Sequence, residues 1–338
     1  MKKTTATCAF IAAAFVSYNA SAALYDAFLP ANEPYSYNET LGLVTRFCGG
    51  VGSDTCMGIR PSGSVWENGT LVPKYNFAGW ASGYSSYEQG TGITGDGTEQ
   101  GANHWTNVEN ALGKPTTSDT NDVLVLGDGG SVTLTFDAPI VNGTGYDFAV
   151  FENSLNDTFL EFATVSVSTD GIHFVTFPHF YLGTTPVGSD STEGGGVNDP
   201  TLAYNLGNKY RIGYGNGYDL AELESAYLYS LDHLDNGEAT ETSVFSAAYM
   251  SSVIENYAYI DLDNINYVKL TDIIGDGNTL DSAGNPIYDA YPTTGTPGFD
   301  LSGVGVINQQ IPEPSEFAIL LSGMAAIFAY SRRSRNKK

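Results

Sequence analysis

Oxygen ligands crowd one stretch of this chain. Asp272-Ile-Ile-Gly-Asp276-Gly-Asn278-Thr-Leu-Asp281 places three carboxylates and an amide on a segment with two glycines, and Asn285 and Asp289 lie just beyond. Hard divalent cations need several oxygens around one point, so Asp272, Asp276, Asn278 and Asp281 form a candidate metal site with calcium as the expected cofactor. The spacing is not that of an EF-hand, which takes ligands at alternate positions and closes on a Glu at position 12. Asp and Asn are also the ordinary residues of polar turns, so a plain Asx-turn loop is the competing reading. Glu152-Asn153, directly after an apolar run and with Asp128, Asp147 and Asp157 near in sequence, is a second calcium or sugar candidate. Its alternative is a solvated edge loop.

Catalysis has no comparable anchor. Paired carboxylates hydrolyse glycosides, yet a chain with 38 acids contains many pairs, and spacing distinguishes none of them. A Gly-x-Ser-x-Gly elbow is absent, so a hydrolase triad has no starting point. His104, His173, His179 and His233 are scattered without zinc spacing. No phosphate-cradling loop or Rossmann pattern is present. The expected role is therefore non-catalytic, either binding or structural. The alternative is an extracellular carbohydrate-active enzyme using paired carboxylates. Trp66, Trp80, Trp105 and the 22 tyrosines offer planes for stacking sugar rings, or else serve as packing.

Both ends of the chain read as addresses. Met1-Lys2-Lys3, the mostly apolar Cys8 to Val16 run and Ala20-Ser21-Ala22 form a signal peptide over 1–22, with cleavage expected after Ala22. Cys8 stands at the start of the apolar region rather than behind it, which argues against lipidation. At the far end, Ile311-Pro312-Glu313-Pro314-Ser315-Glu316 precedes 14 mostly apolar residues from Phe317 to Tyr330, among them Leu320, Leu321 and Ile327. Arg332, Arg333, Arg335, Lys337 and Lys338 follow. The prolines break helix and keep the motif accessible, and the five cations favour the cytoplasmic side of a membrane. The apolar run is shorter than the roughly 20 residues that cross a bilayer core, so a buried core helix is the bland alternative to a membrane segment.

The order of motif, apolar stretch and basic stop over 310–338 resembles the PEP-CTERM sorting signal of Gram-negative bacteria, with Pro312, Glu313 and Pro314 as its tripeptide. The resemblance implies transient inner-membrane anchoring and processing by an exosortase, a membrane-embedded transpeptidase-like enzyme. It further implies loss of the tail and delivery to the cell surface or the extracellular matrix.

The two ends hold 7 of the 14 cations and 2 of the 38 acids, which leaves 7 cations against 36 acids between them, a net charge near −29. Such a chain repels nucleic acid and anionic membranes, so no nucleic-acid partner is expected. Its counter-partners are cations, or the charge is a solubility device; extracellular polysaccharide is the expected surrounding. Cys48 and Cys56 flank a glycine-rich loop in an exported chain, where a small loop disulfide is favoured over a metal pair.

The elements that must position these residues read as all-β. Abundant Gly, Tyr, Thr and Ser fit short strands and turns. Residues 23–121 read as a loop-rich N-terminal part of one ectodomain over 23–309, with short strands at 41–47 and 64–66 and a surface loop at 84–101. Val132, Leu134 and Phe136 alternate with Ser131, Thr133 and Thr135, which predicts one buried and one wet face. Residues 146–151 read as a central strand. Residues 163–168 and 172–177 read as a hairpin around Thr169-Asp170-Gly171, and 265–270 and 301–307 as two more strands. Leu220, Leu223, Ala226, Tyr227 and Leu231 recur at helical spacing, with Asp219 as N-cap, and predict one inserted helix. The expected fold is a β-sandwich, jelly-roll-like, with that helix, a signal helix and a C-terminal hydrophobic helix.

The Asp-Gly hairpin followed by Tyr267-Val268-Lys269-Leu270 resembles the galactose-binding-like jelly roll of discoidin-type and other carbohydrate-binding modules. Residues 123–308 also resemble a recurring ectodomain of PEP-CTERM proteins. Its marks are Val-Leu-Gly-Asp-Gly-Gly (125–130), Asp-Phe-Ala-Val-Phe-Glu-Asn (147–153), Gly-Asn-Pro-Ile-Tyr-Asp (284–289) and Pro-Gly-Phe-Asp-Leu (297–301). That resemblance implies a fold and an address, and no reaction.

Overall fold

The computed structural model describes residues 36–38, 43–45, 58–67, 70–92, 105–116, 121–154, 159–189, 196, 198–210, 212–293 and 295–310. The signal peptide with Ala22, both Cys48 and Cys56, and the whole segment from Pro312 to Lys338 lie outside them, as do the two terminal helices expected there.

Two five-stranded antiparallel sheets dominate the described residues. In chain order their strands are β1 (Gly79–Trp80), β2 (Gly83–Glu88), β3 (Leu124–Val125), β4 (Ser131–Ile140), β5 (Phe148–Glu152), β6 (Ala163–Ser168), β7 (Val175–Thr176), β8 (Gly215–Tyr218), β9 (Ile265–Asp272) and β10 (Asp300–Val306). One sheet runs β7-β6-β9-β4-β2; the other runs β8-β5-β10-β1, with β3 pairing the start of β10. Val132 and Leu134 of β4, Val165 and Val167 of β6, and Val268 and Leu270 of β9 share one core with Phe148 and Val150 of β5 and Val304 and Val306 of β10. The arrangement is sandwich-like, and the alternation of apolar residues supplies its facing surfaces.

β5 and β10 are buried along their whole length. Their second face is covered by Ile59, Tyr146, Tyr75, Phe77 and Trp80, where Trp80 stacks within 4.6 Å of Phe77. This explains the continuous apolar run at 148–151.

The expectation of one inserted helix is corrected to two. α1 (Ala221–His233) and α2 (Ala247–Tyr257) pack on each other, and Leu223, Ala226, Met250 and Val253 join the main core. On α1, Leu223 and Ala226 face inward as expected, while Leu231 is exposed. Asp219 accepts the Ala221 N–H at 2.9 Å, although the cap position itself falls on Leu220.

Three strand expectations also change. The loop expected from residue 84 begins as β2, because that segment pairs with β4 despite lacking an apolar face. Ser131 and Thr133 are buried rather than wet, since β4 lies between β9 and β2. The return strand at 172–177 shrinks to Val175–Thr176. The Asp170 carboxylate accepts the N–H groups of both Ile172 and His173, at 2.8 and 2.9 Å, and so holds them out of the ladder.

Candidate functional site: a buried carboxylate cluster

Five acids meet at one end of the sandwich. Glu152 ends β5, Asp300 opens the neighbouring β10, Asp272 ends β9, Glu161 stands two residues before β6, and Asp289 lies on the segment between β9 and β10. Antiparallel pairing forces the convergence: Leu301 registers with Glu152 and Ala163 with Asp272, so two strand ends and two strand starts share one rim. All five side chains are more than nine-tenths buried.

Their oxygens are engaged mainly by backbone N–H groups. Asp272 accepts from Gly129 at 2.8 Å and from Phe299 at 2.7 Å, and Asp289 accepts from Phe162 at 2.8 Å. Glu161 accepts from Gly298 at 3.2 Å, and Glu152 accepts from Ser154. Asn153 bonds the Asp300 carboxyl, while Oδ1 of Asp300 has no hydrogen-bond partner. No lysine or arginine forms an ion pair with any of the five among the described residues. Lys209, itself buried, directs Nζ to the Ala203 carbonyl at 2.8 Å.

Burial therefore acts on these groups without a compensating cation among the described residues. It pushes Glu152 and Glu161 well above the usual carboxylate range, and the Asp300 charge adds to the effect on both. Burial also raises Asp300, and neighbouring Asp272 pushes it further. Asp289 is raised by burial and then by Asp272. Burial lifts Asp272 to about 7 against the pull of its two backbone donors. Desolvation disfavours the charged form and like charges reinforce it, so the cluster tends either to keep protons or to take up positive charge.

The four residues expected to share one ion are distributed over three places. Asp272 belongs to the cluster. Asp276 and Asn278 form an exposed turn of their own, with Asp276 accepting the backbone and side-chain N–H groups of Asn278 at 2.8 and 2.7 Å. Asp281 is a buried staple: it accepts from Ala283, Asn285 and Tyr181, tying its loop to the 180–181 strand. Glu161, Asp289 and Asp300 were not singled out as ligands from sequence. The available signal is an acid set between apolar neighbours, as in Leu160-Glu161-Phe162 and Phe299-Asp300-Leu301. Among the described residues, no three His, Cys, Asp or Glu side chains are placed so that they could hold a metal ion.

Other candidates resolve into packing. His179 is buried with Nδ1 on the Phe177 carbonyl, His173 pairs with Asp170 and stacks on Tyr259, and His233 bonds the Tyr229 carbonyl. An open recess of about 500 Å³ is lined by Lys74, Tyr75, Asn76, Thr144, Gly145, Ile307 and Asn308, and holds no carboxylate. Among the described residues no helix is long and apolar enough to cross a membrane. No protein-family model matches the chain, and no curated protein matches it.

Proposed function

We propose that this chain is an exported surface or matrix protein whose sandwich, of jelly-roll type, binds or builds rather than catalyses. The signal peptide over 1–22 directs export. Phe317 to Tyr330 then anchors the chain briefly, an exosortase-type enzyme acts near Pro312, Glu313 and Pro314, and the ectodomain is released into an exopolysaccharide layer. The observation that carries the non-catalytic reading is the placement of the clustered acids. A glycosidase needs two carboxyls facing substrate across a cleft, whereas Glu152, Glu161, Asp272, Asp289 and Asp300 are buried and mostly bonded by backbone. The passage of the chain back and forth between the two sheets supports the jelly-roll reading.

The recess at Lys74 and Tyr75 supports polysaccharide as the partner. It joins an aromatic ring, amides and one cation in a chain that is otherwise strongly acidic, and its size lies within the range of small-ligand sites. Deleting residues 312–338 tests the sorting step: the chain should remain in the periplasmic or secreted soluble fraction and lose surface retention. Unchanged surface delivery would refute it. A glycan array probed with the chain tests the binding step, with acidic or neutral polysaccharide captured and Tyr75→Ala weakening capture. Turnover of any captured glycan would favour the carbohydrate-active alternative.

A further inference from the structure

We propose that the recess beside Tyr75 takes uncharged sugar rings, through one aromatic plane and a set of neutral polar groups, and disfavours anionic sugars. The inference rests on the polysaccharide-binding reading and narrows it to one chemical class. Three segments build the recess: 74–76 on the approach to β1, 144–145 between β4 and β5, and 307–308 on the exit from β10. Pairing brings them together, because Val306 registers with both Gly79 of β1 and Phe148 of β5. The buried acids lie at the other end of the same strands, where Leu301 registers with Glu152. The wall is held in place before any ligand arrives. Asn308 donates its backbone N–H to the Asp147 carbonyl at 3.1 Å, and its carbonyl accepts the Val141 N–H at 3.0 Å. Its Nδ2 donates to the Asp147 carboxylate at 2.8 Å and to the Tyr146 carbonyl at 3.3 Å, which leaves Oδ1 as an acceptor. Tyr75 is half-buried with its ring 5.6 Å from that of buried Tyr146. Groups fixed in this way lose little freedom on binding.

The chemistry selects the ligand. Among the described residues the side chains of Asn76 and Thr144 make no hydrogen bond within the chain. An amide, a hydroxyl and the Asn308 acceptor both give and receive hydrogen bonds, as the hydroxyls of a sugar do. The Tyr75 ring matches the apolar face of a pyranose. Gly145 supplies the room: its φ is +76°, and an added Cβ would meet nothing within 4 Å. The lining holds no carboxylate to receive a cationic ligand. Lys74 is its one cation, with Nζ 5.8 Å from the centre of the Tyr75 ring. An exposed lysine gains little from a single carboxylate in water. Every further carboxylate of an acidic polymer meets a chain of net charge near −29, within a Debye length of about 10 Å at 0.1 M salt. Uncharged sugars avoid that repulsion and keep the ring and hydroxyl contacts.

The test titrates the full chain, kept in a detergent without sugar headgroups, with tetrasaccharides of glucose, galactose and mannose and with the tetrasaccharide of glucuronic acid. Calorimetry should give saturable binding at about 1 mM or below for at least one neutral sugar. At 0.1 M salt that sugar should bind at least about tenfold tighter than the uronate, and the gap should narrow at 1 M salt, where the Debye length is about 3 Å. Asn tolerates positive φ, so Gly145→Asn should fill the recess in a folded chain and weaken binding at least about tenfold. Tyr75→Ala should weaken it about fivefold or more, and Tyr259→Ala, which removes an exposed ring elsewhere, should leave it unchanged. Hydrogen exchange on the unmutated chain locates the sugar even where a variant fails to fold, with protection expected at 74–76, 143–146 and 307–309. Equal or tighter binding of the uronate would overturn the proposal and leave the polysaccharide reading standing. So would full affinity in a folded Gly145→Asn chain, or protection at 172–173 and 259 in place of the recess. No heat with any neutral sugar up to about 10 mM, tenfold above the expected range, would overturn it too. A glycan array without any capture would remove the broader reading as well.

Discussion

Asp147 holds three elements together with one carboxylate. Its Oδ1 accepts the N–H of Gly143 at 2.7 Å and Nδ2 of Asn308 at 2.8 Å, and its Oδ2 accepts the N–H of Leu220 at 2.7 Å, just before α1. Burial nevertheless outweighs these donors and pushes it up to about 6 from 3.8. A folded value above the unfolded one favours folding fully below the unfolded value and loses that contribution as pH rises through the folded value. Between about pH 3 and pH 7 this group should thus remove about 3 kcal/mol of stability, at up to roughly 1.4 kcal/mol for each pH unit. Urea melts across that window should show the decline, and Asp147→Asn should flatten it while costing about 1–3 kcal/mol through a donor facing a donor. A second contrast lies in the loop after β9. Gly275 has φ +80°, and a Cβ there would stand 1.7 Å from Oδ1 of Asp289; Gly145 has φ +76° with open space around it. Gly145→Ala should cost only the left-handed strain, about 1–2 kcal/mol, and Gly275→Ala distinctly more, as read from unfolding midpoints. At this scale the sequence was legible in part. The residues 272–289 stood out by density, but density did not separate Asp276, which bonds its own turn, from Asp272 and Asp289, which are buried. That division depends on where Gly129, Phe162 and Phe299 arrive from distant strands.

Elements with strong internal periodicity were readable, and those defined by their neighbours were not. β9 alternates from Val268 onward, and β6 stands where its alternating sequence puts it, although Ser166 and Ser168 on its polar side are buried too. β2 has the sequence Gly-Tyr-Ser-Ser-Tyr-Glu, with no apolar face, and exists because β4 offers it a ladder. α2 is the instructive omission. Ser246 caps it by accepting the Tyr249 N–H at 3.3 Å, and Tyr249, Met250 and Val253 face the core, so both a start signal and a stripe were present. They are hidden by the β-branched and aromatic residues around them, which read equally well as strand. Removing the cap should therefore matter: Ser246→Ala is expected to cost about 1 kcal/mol. Hydrogen exchange should accelerate first in the initial turn, at 247–250, and much less in α1. Equal acceleration in both helices would mean that they unfold as one unit.

Across the whole molecule, charge is segregated. Half of the 14 cations sit in the terminal 22 and 28 residues, and the chain between them carries a net charge near −29. Two kinds of repulsion follow, and they respond to different ions. Exposed acids such as Asp235, Glu238 and Glu241 repel through water and are screened by any salt, with a Debye length of about 10 Å at 0.1 M. The five buried acids are shielded from mobile ions by the sheets, so screening reaches them little, and protons relieve them. Sodium chloride should raise the melting temperature gradually, without saturation at a definite stoichiometry. Lowering the pH should add a separate gain that sodium chloride does not reproduce, because Asp272, raised to about 7, contributes stability that is lost as pH rises through that value. A melting temperature that follows salt alone and is indifferent to pH between about 5 and 8 would assign the whole effect to the surface.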